Sequence, residues 1–490
     1  MVWPFSKWRS LFTPASTGSV EPPLHLHNTL SGEDEVFTLP PRVHTVRMYN
    51  CGPTVYARQH IGNLSMFVFT DVLKRTLEYN SFKVKQVINI TDVGHLTSDQ
   101  DDGEDKMSKG LRSEKMKFTL ENMRALGEKY TAIFLDDLRL LNIDTARIEF
   151  PRASDYIPAQ IAMIQALMDK SYAYTGKDGV YFDTAHFPRY GELGGIDIKG
   201  QREGARIAPV SGKRSPTDFA LWKFDESLGW ESPWGRGFPG WHIECSAMIR
   251  KTLGEQIDIH TGGIEHIPVH HNNEIAQSEG AIGKRPLSRF WLHRAHIQFA
   301  GGKLAKSAGN VVYLSDIIDR GLSPLALRYL FLGAHYRTSA NFSWEALQSS
   351  STALMRLAQY AREDGGTVAE TYRMRFQERV NDDLDTPGAL AVLWDVTKDT
   401  SLSVADISAT VRDADRVFGL GLGTVGALIA PVANTVSIDD LPPEVALLVT
   451  EREEARASKN WSRADELREA IAEAGYDIKD TTEGPEIRKR

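Results

Sequence analysis

Length, composition and charge exclude several classes of protein before any motif is considered. The chain has 490 residues, 41% of them hydrophobic, and two cysteines; roughly 150 residues per domain predicts about three domains, and so few cysteines exclude a disulfide framework and favour a reducing compartment. The net charge of −8 argues against a general electrostatic grip on nucleic acid but is compatible with a local basic groove.

The first 23 residues differ in composition from the rest of the chain. Aromatic and basic residues precede a stretch rich in Ser, Thr, Gly and Pro, without the continuous apolar run of a signal peptide. We expect residues 1–23 to form a flexible extension, with a weak membrane-surface or targeting role as the alternative. The chain contains no run of about 18 apolar residues, so neither a transmembrane helix nor a stable membrane partner is expected.

A strand, a helix and a second strand are predicted between residues 45 and 90. The segment Thr45 to Tyr49 alternates in hydrophobicity, and the second strand is expected from Val84 to Ile90. The helix between them is indicated by apolar residues at helical spacing: Leu64, Phe67, Val68 and Val72. This order predicts a parallel sheet. The helix is expected to begin near His60-Ile61-Gly62-Asn63, and a helix N-terminus at the edge of such a sheet favours anions.

The following elements predict an interrupted sheet domain and then a helical region. The polar segment Ser98 to Lys109 contains five acidic residues and is predicted to be a solvated loop, and helical patterning resumes from Glu114 to Leu141. Shorter elements between residues 151 and 234 indicate an insertion. A strand at Ile257 to His260 begins the second half of the sheet domain, and beyond Tyr313 the pattern is mainly helical to about Leu420.

Four side chains form a candidate metal site. Cys245 is followed 25 positions later by His270, and Glu274 lies one helical turn after that histidine, on the same helix face. Thiolate, imidazole and carboxylate are the groups that zinc binds, and Cys51 would complete a set of four. A lone cysteine is more often a small buried hydrophobe, and a lone histidine a satisfied polar group. The joint pattern favours zinc.

A second group of residues is suited to phosphate. His60 and Asn63 lie at the predicted helix N-terminus, while Lys303 and Lys306 belong to a short basic loop preceded by Gly301-Gly302. Basic glycine loops are also common on surfaces without any ligand. Neither a Walker sequence nor a Gly-x-Gly-x-x-Gly fingerprint is present, so a P-loop ATPase or a dinucleotide-dependent dehydrogenase is disfavoured.

Several segments, taken in order, resemble a known family. His60 to Asn63 resembles the HIGH signature, and Lys303 to Ser307 resembles the KMSKS signature, of class I aminoacyl-tRNA synthetases. Four further segments resemble the cysteinyl-tRNA synthetase family in particular: Asn50 to Tyr56, Asn89 to Asp92, Gly240 to Met248 and Pro268 to Glu279. The similarity extends from about Leu24 to the C-terminus.

The resemblance implies a fold, a set of domains and a reaction. The fold would be α/β, with a Rossmann-like class I catalytic domain built on a parallel sheet, an insertion, and a mainly α-helical C-terminal tRNA-binding region. L-cysteine would react with ATP to give cysteinyl adenylate and pyrophosphate, and the cysteinyl group would then pass to the 3′ end of tRNA(Cys). The implied divisions are an N-terminal extension (1–23), two catalytic halves (24–150 and 236–335), a connective insertion (151–235), a helical stem- and anticodon-binding domain (336–436) and a small C-terminal extension (437–490) with helical residues 444–474.

The resemblance also implies roles for individual residues. Zinc, one per subunit, would be held by Cys51, Cys245, His270 and Glu274 and would select the substrate thiol. ATP, as its magnesium complex, would be bound by His60, Asn63, Glu265 and Lys306. The catalytic residues would be His60, Asn63, Lys303 and Lys306. The cysteine pocket would be lined by Thr91, Trp241 and His260. A monomer working in the cytoplasm is expected, with a tRNA contact from the basic segment Lys199 to Arg214.

The chain departs from the family pattern at a few positions, and two other functions stay open. Asn63 replaces the second histidine of the HIGH signature and cannot be cationic. Further departures are Ala57, Leu304, Ala305 and Glu265, the last in place of an aspartate. One alternative is a cysteine ligase acting on a small-molecule amine, and the other is a non-catalytic relative that binds zinc and RNA.

Overall fold

The computed structural model describes most of the chain. The described residues are 22–94, 106–196, 212–299, 302–303, 311–423, 438, 441–458, 460–481 and 484–489. Four predictions lie wholly or largely outside them: the extension at residues 1–23, the loop at residues 98–109 as far as residue 105, the tRNA contact of Lys199 to Arg214, and the lysine loop with Lys306. Only the backbone of Lys303 is described.

Strands and helices follow one another along the chain as follows. The strands are β1 His25–Asn28, β2 Glu33–Val36, β3 Thr45–Asn50, β4 Lys83–Ile88, β5 Ile148–Glu149, β6 Ala173–Thr175, β7 Gly179–Phe182, β8 Phe219–Phe224, β9 Gly237–Pro239, β10 Ile257–Gly263, β11 Ser288–Arg294, β12 Ile297–Phe299, β13 Gly302–Lys303, β14 Ala340–Phe342, β15 Tyr476–Thr481 and β16 Gly484–Lys489. The α-helices are α1 Ile61–Tyr79, α2 Lys106–Ser113, α3 Leu120–Leu140, α4 Ile157–Asp169, α5 Trp241–Thr252, α6 Asn272–Ile282, α7 Leu314–Asp319, α8 Pro324–Leu332, α9 Trp344–Gln359, α10 Glu370–Asn381, α11 Thr386–Val396, α12 Val404–Phe418, α13 Pro443–Ala457 and α14 Trp461–Glu473.

A five-stranded parallel sheet forms the centre of the catalytic part. Its strand order is β11-β10-β3-β4-β5, so β10, from the second half of the chain's sheet domain, pairs with β3 from the first half. All seven residues of β10 are buried, as expected for a strand that is covered on both faces. The predicted α/β fold with a parallel sheet is confirmed.

Helix α1 connects β3 to β4 and confirms the predicted βαβ unit. The four apolar residues used for the prediction are buried on it, together with Ile61, Leu73 and Leu77. His60 caps its N-terminus, and its first turn contains no acidic residue. The positive end of the helix dipole therefore faces the carboxyl edge of the sheet, and no carboxylate of the helix's own first turn offsets it.

An antiparallel sheet separates the two halves of the parallel sheet. Its order is β6-β7-β8-β9; β6, β7 and β8 lie within the segment predicted to be an insertion (151–235), and β9 follows just after it. From α7 onwards the described chain is mainly helical, as predicted. None of the described helices combines the length and the apolar content needed to cross a membrane.

One local prediction is wrong, and the structure adds detail at three other places. Residues 106–109 belong to α2 rather than to a solvated loop, because Met107 and Leu111 are buried against Met123 and Leu126 of α3. The charged region 444–474 is helical, as predicted, and is divided into two helices, since Asn460 starts a new one by accepting from the Arg463 N–H. The hairpins β1–β2 and β15–β16 were not predicted.

Buried Arg328 joins the helical region to the sheet domain. Its guanidinium forms an ion pair with Asp71 on α1 and donates to the carbonyl oxygens of Leu141 and Phe418. The side chain is 0% exposed. All three guanidinium nitrogens thus have acceptors, which is the condition under which a buried charge is tolerated.

Candidate metal centre and ligand cleft

Cys51 lies at the carboxyl end of β3. Asn50 pairs with Thr261 of β10, and the Cys51 N–H donates to the Thr261 carbonyl at 3.1 Å. These contacts with Thr261 position Cys51 at the edge of the sheet where β10 also ends. Ligands bind at this edge in open α/β sheets because the strands stop there and their loops diverge.

The turn after Cys51 requires a glycine. The Gly52 N–H donates to Asn89 Oδ1 at 2.8 Å, and a Cβ on residue 52 would lie 1.6 Å from the Asn89 carbonyl oxygen. The chain continues by pairing Thr54 with Thr91. Contacts with the Asn89 to Asp92 segment therefore fix the position of the turn that contains Cys51.

Gly52→Ala is expected to displace this turn and to destabilise the fold by about 1–3 kcal/mol, the range for overpacking. Displacement of Cys51 would also lower the zinc content, which elemental analysis of the purified variant measures. Gly423→Ala is the matched control, because its Cβ would meet its nearest neighbour at an ordinary 3.6 Å. Equal zinc content and equal stability in both variants would contradict the role of Gly52.

Helices α5 and α6 supply the other three candidate ligands. Cys245 lies in the second turn of α5, and His270 belongs to a single π-helical turn, Ile267–His271, that leads into α6. Glu274 follows in the first turn of α6. His270 Nε2 lies 3.0 Å from Glu274 Oε1, so the predicted sharing of one helix face is observed.

The four candidate ligands converge. One ligand atom from each of Cys51, Cys245, His270 and Glu274 lies within 4.8 Å of all the others, and all four residues are buried. Two thiols, one imidazole and one carboxylate fit zinc in both number and type. The donor set of these described residues therefore passes the chemical test for a zinc site.

A second, smaller group shares one of these ligands. Cys51, His260 and His271 also lie within 4.8 Å of one another, and Cys51 Sγ is 3.3 Å from His271 Nε2. His271 Nδ1 is in turn hydrogen-bonded to His293 Nε2 at 2.7 Å. This group lacks a carboxylate and a second thiol, so it suits a tetrahedral dication less well.

Burial and mutual charge set the protonation states of the cluster. Burial raises the pKa of both thiols, Cys51 and Cys245. Burial would also raise the pKa of Glu274, but the neighbouring imidazoles of His260 and His270 bring it well below its usual range. Burial would lower the pKa of His270, yet Glu274 and Cys245 raise it to about 10. A buried anionic carboxylate thus faces two neutral thiols, which a dication would convert to thiolates.

A cleft of about 560 Å³ opens beside the cluster. Its walls include three of the candidate metal ligands, Cys51, Cys245 and His270, which places the cluster at one side of the cleft. Among the other predicted site residues, its walls include His60, Asn63, Thr91, Trp241 and Glu265. The cleft therefore brings the thiol-binding and phosphate-binding predictions together in one cavity.

His60 is oriented by its capping role. Its Nδ1 accepts the Asn63 N–H at 3.2 Å, so a neutral ring carries its proton on Nε2. The ring lies in the cleft wall with the side chain of Asn63 exposed beside it. This end of α1 therefore presents hydrogen-bond donors to an anion without a fixed charge of its own.

The three residues predicted for the cysteine pocket differ in position. Thr91 and Trp241 line the cleft, and the indole centroid of Trp241 lies 4.3 Å from that of the His270 ring. His260 instead lies behind the cluster: it is fully buried, stacks on Trp291, and its Nε2 is 2.7 Å from Glu274 Oε2. Its described contacts are those of a residue that holds Glu274.

Cationic residues that the sequence interpretation missed also line the cleft. They are Arg58, Lys106, Lys109 and Arg294. Lys106 and Lys109 lie on α2, in the segment that the sequence interpretation assigned to a solvated loop because of its acidic residues. Arg294 ends the apolar strand β11 with a charge, which also marks a strand end that opens onto a site.

Comparisons with known proteins agree with the geometry. A family model for the class I (C) tRNA synthetase catalytic domain matches residues 38–352, and one for the cysteinyl-tRNA ligase anticodon-binding domain matches residues 439–488. The chain is 47% identical to cysteine--tRNA ligase 1 of Burkholderia lata, over 95% of this chain and 97% of that one. It is 41% identical to the cysteine--tRNA ligase of Thermus thermophilus, over 90% and 95% of the two chains.

A solved structure shares the fold. Methionyl-tRNA synthetase of Mycobacterium tuberculosis, bound by methionyl-adenylate, superposes with a TM-score of 0.54 at 14% identity, covering 79% of this chain and 92% of that one. This likeness concerns the fold alone. Since a family model and close relatives together span nearly the whole sequence, the resemblance is confirmed: the chain belongs to the cysteine–tRNA ligase family of class I tRNA synthetases.

Proposed function

We propose that the chain is a cysteine–tRNA ligase that activates L-cysteine with ATP and transfers it to tRNA(Cys). The observation that carries the proposal is the convergence of Cys51, Cys245, His270 and Glu274 on the wall of the cleft that also contains the N-terminus of α1. One end of the cavity suits a thiol and the other suits a polyphosphate. The relatives and the segment similar to an anticodon-binding domain favour this function over both alternatives.

In the activation step, the cysteine carboxylate oxygen attacks the α-phosphorus of ATP. The bond from that phosphorus to the α,β-bridging oxygen breaks, and pyrophosphate leaves with its electron pair. The carboxylate is already ionised, so no proton need be removed. The His60 Nε2–H, the Asn63 amide and the Lys306 ammonium would stabilise charge on the phosphates, which carry magnesium. Positioning and electrostatics then supply the rate acceleration without a covalent enzyme intermediate.

Zinc would provide the distinction between cysteine and serine, because it binds a soft thiolate far better than a hydroxyl. A pocket that relied on shape would gain only about 1–3 kcal/mol from so small a difference. Four protein ligands usually close a structural zinc site, so room for the substrate sulfur requires a fifth ligand position or a weakly held Glu274. The hydrogen-bonding distance between His260 and Glu274 supports the second arrangement, because it offers the carboxylate another partner.

The second step would pass the cysteinyl group to the ribose of the terminal adenosine of the tRNA. We assign stem and anticodon contacts to the helical region at residues 336–436 and to the small C-terminal unit at residues 437–490, with the catalytic halves and the insertion divided as predicted from the sequence. We further propose that the chain acts as a monomer in the cytoplasm, where a reduced zinc-binding thiol pair persists.

Aminoacylation of purified tRNA(Cys) tests the proposal directly. The zinc-loaded protein should charge this tRNA with cysteine but not with serine, and should catalyse ATP–pyrophosphate exchange that depends on cysteine. Exchange without charging would favour the ligase that uses a small-molecule amine. Absence of both activities in a folded, zinc-loaded protein would favour the non-catalytic relative.

A further inference from the structure

Arg294 is a buried cation on the cleft wall, and none of the described carboxylates pairs with it. It ends β11 at the carboxyl edge of the parallel sheet, opposite Gly263 of β10, and the residue is 6% exposed. Its Nε donates to Ser65 Oγ at 3.0 Å, and its guanidinium lies 5.6 Å from the centroid of the Phe331 ring. Within the described part of the chain, no acidic side chain forms an ion pair with it.

Other buried arginines in the described structure are neutralised. Arg328 pairs with Asp71 and Arg452 pairs with Glu453. The partly exposed Arg289, at the opposite end of β11, also has an acidic partner, Asp258. Burial lowers the pKa of Arg294 to about 10, and no neighbouring acid offsets this effect. The side chain is still cationic at neutral pH, so the described part of the fold keeps a desolvated positive charge that none of its acidic side chains pairs with and that an anion in the cleft would neutralise.

The surroundings of Arg294 point to an anion at the N-terminus of α1. Ser65, which accepts from Arg294, lies on α1 and donates its own hydroxyl to the Gly62 carbonyl at 2.7 Å. The guanidinium is thereby held against the first turns of the helix. Neither the neutral form of His60 nor Asn63 brings a fixed positive charge to this end of the cleft, and Arg58 is already paired with Asp137.

We propose that Arg294 binds a phosphate group of the ATP that occupies the cleft. This assignment rests on the proposed function only for the identity of the nucleotide. The planar guanidinium can donate through its two terminal nitrogens to two phosphate oxygens, while Ser65 fixes its orientation through Nε. Arg294 thus supplies the fixed charge that the capped helix N-terminus lacks, and it contacts the phosphates in both the ground state and the transition state.

The test is equilibrium binding of ATP and of pyrophosphate, without cysteine, measured by isothermal titration calorimetry on the zinc-loaded protein. Loss of a charge-assisted pair should weaken both ligands by about 10- to 100-fold in Arg294→Gln. Arg294→Lys should recover part of the affinity. Ser65→Ala keeps the charge of Arg294 but removes the hydroxyl that orients its guanidinium, so it should weaken binding less than Arg294→Gln does. In ATP–pyrophosphate exchange, the KM for ATP should rise in the same order as the dissociation constants of the variants, while the KM for cysteine should stay unchanged.

Arg289→Gln is the matched control, because it removes an arginine from the same strand at the end remote from the cleft. It should leave ATP affinity at the wild-type value. Wild-type affinity for ATP in Arg294→Gln would overturn the proposal, as would a rise confined to the KM for cysteine or to the Kd for tRNA. Binding needs no turnover, so an ATP effect with no aminoacylation by the wild-type protein would refute the ligase function while supporting the phosphate contact.

Discussion

Cys245→Ser is expected to leave the protein without stoichiometric zinc and to lower cysteine-dependent ATP–pyrophosphate exchange by more than about 100-fold. Mutation of a residue that only orients a metal ligand lowers metal affinity or activity by about 10- to 100-fold, and mutation of a direct ligand should have at least as large an effect. The serine hydroxyl does not ionise near neutral pH and is a harder donor, so it cannot replace the thiolate. Elemental analysis and exchange kinetics measure the two effects.

A panel of variants separates the two overlapping histidine and cysteine groups. Cys51→Ser should lose zinc in either case, because Cys51 belongs to both groups. If the four-residue group holds the metal, His271→Asn keeps one zinc per chain at saturating zinc, whereas Cys245→Ser does not. The reverse pattern would assign the metal to Cys51, His260 and His271. Ser246→Ala, next to Cys245 on α5, controls for disturbance of the helix.

Arg328→Met is expected to destabilise the protein by about 3 kcal/mol or more, the range for removing one partner of a buried ion pair. The variant leaves two carbonyl oxygens, those of Leu141 and Phe418, without the donor that they have now, and buried acceptors without partners are costly. Asp71 keeps Arg75 as a partner, which limits the loss. The shift in urea midpoint, followed by tryptophan fluorescence, measures the effect.

Arg139→Met provides the matched surface control. Arg139 also pairs with an aspartate, Asp136, but both side chains are more than half exposed, and such pairs contribute about 1 kcal/mol or less. Its urea midpoint should therefore stay close to that of the wild type. Similar shifts of the urea midpoint in the two variants would show that burial of Arg328 adds nothing to stability. That result would contradict its role in joining the helical region to the sheet.

Local patterns were sufficient where the governing interaction is local. The βαβ unit from β3 to β4 could be predicted from the spacing of its apolar residues. Alternate apolar residues in a strand, and apolar residues three or four apart in a helix, lie on the one face that packs into the core. The pairing of His270 with Glu274 follows from a single helical turn. The error at residues 106–109 arises because a charged segment conceals a helix whose apolar side is short: on α2 the buried apolar side chains are Met107 and Leu111.

The residue types alone indicated a zinc-binding, phosphate-binding α/β protein, and the order of its motifs indicated the family. They left open whether Cys51 and Cys245, 194 residues apart, lie together. That depends on the pairing of β10 with β3, a long-range contact set by burial and hydrogen bonding between strands from the two halves of the domain. Only the folded chain places His260 behind Glu274. Only there is Arg294 buried without an ion pair to any described acidic side chain, because desolvation and charge pairing depend on which surfaces meet.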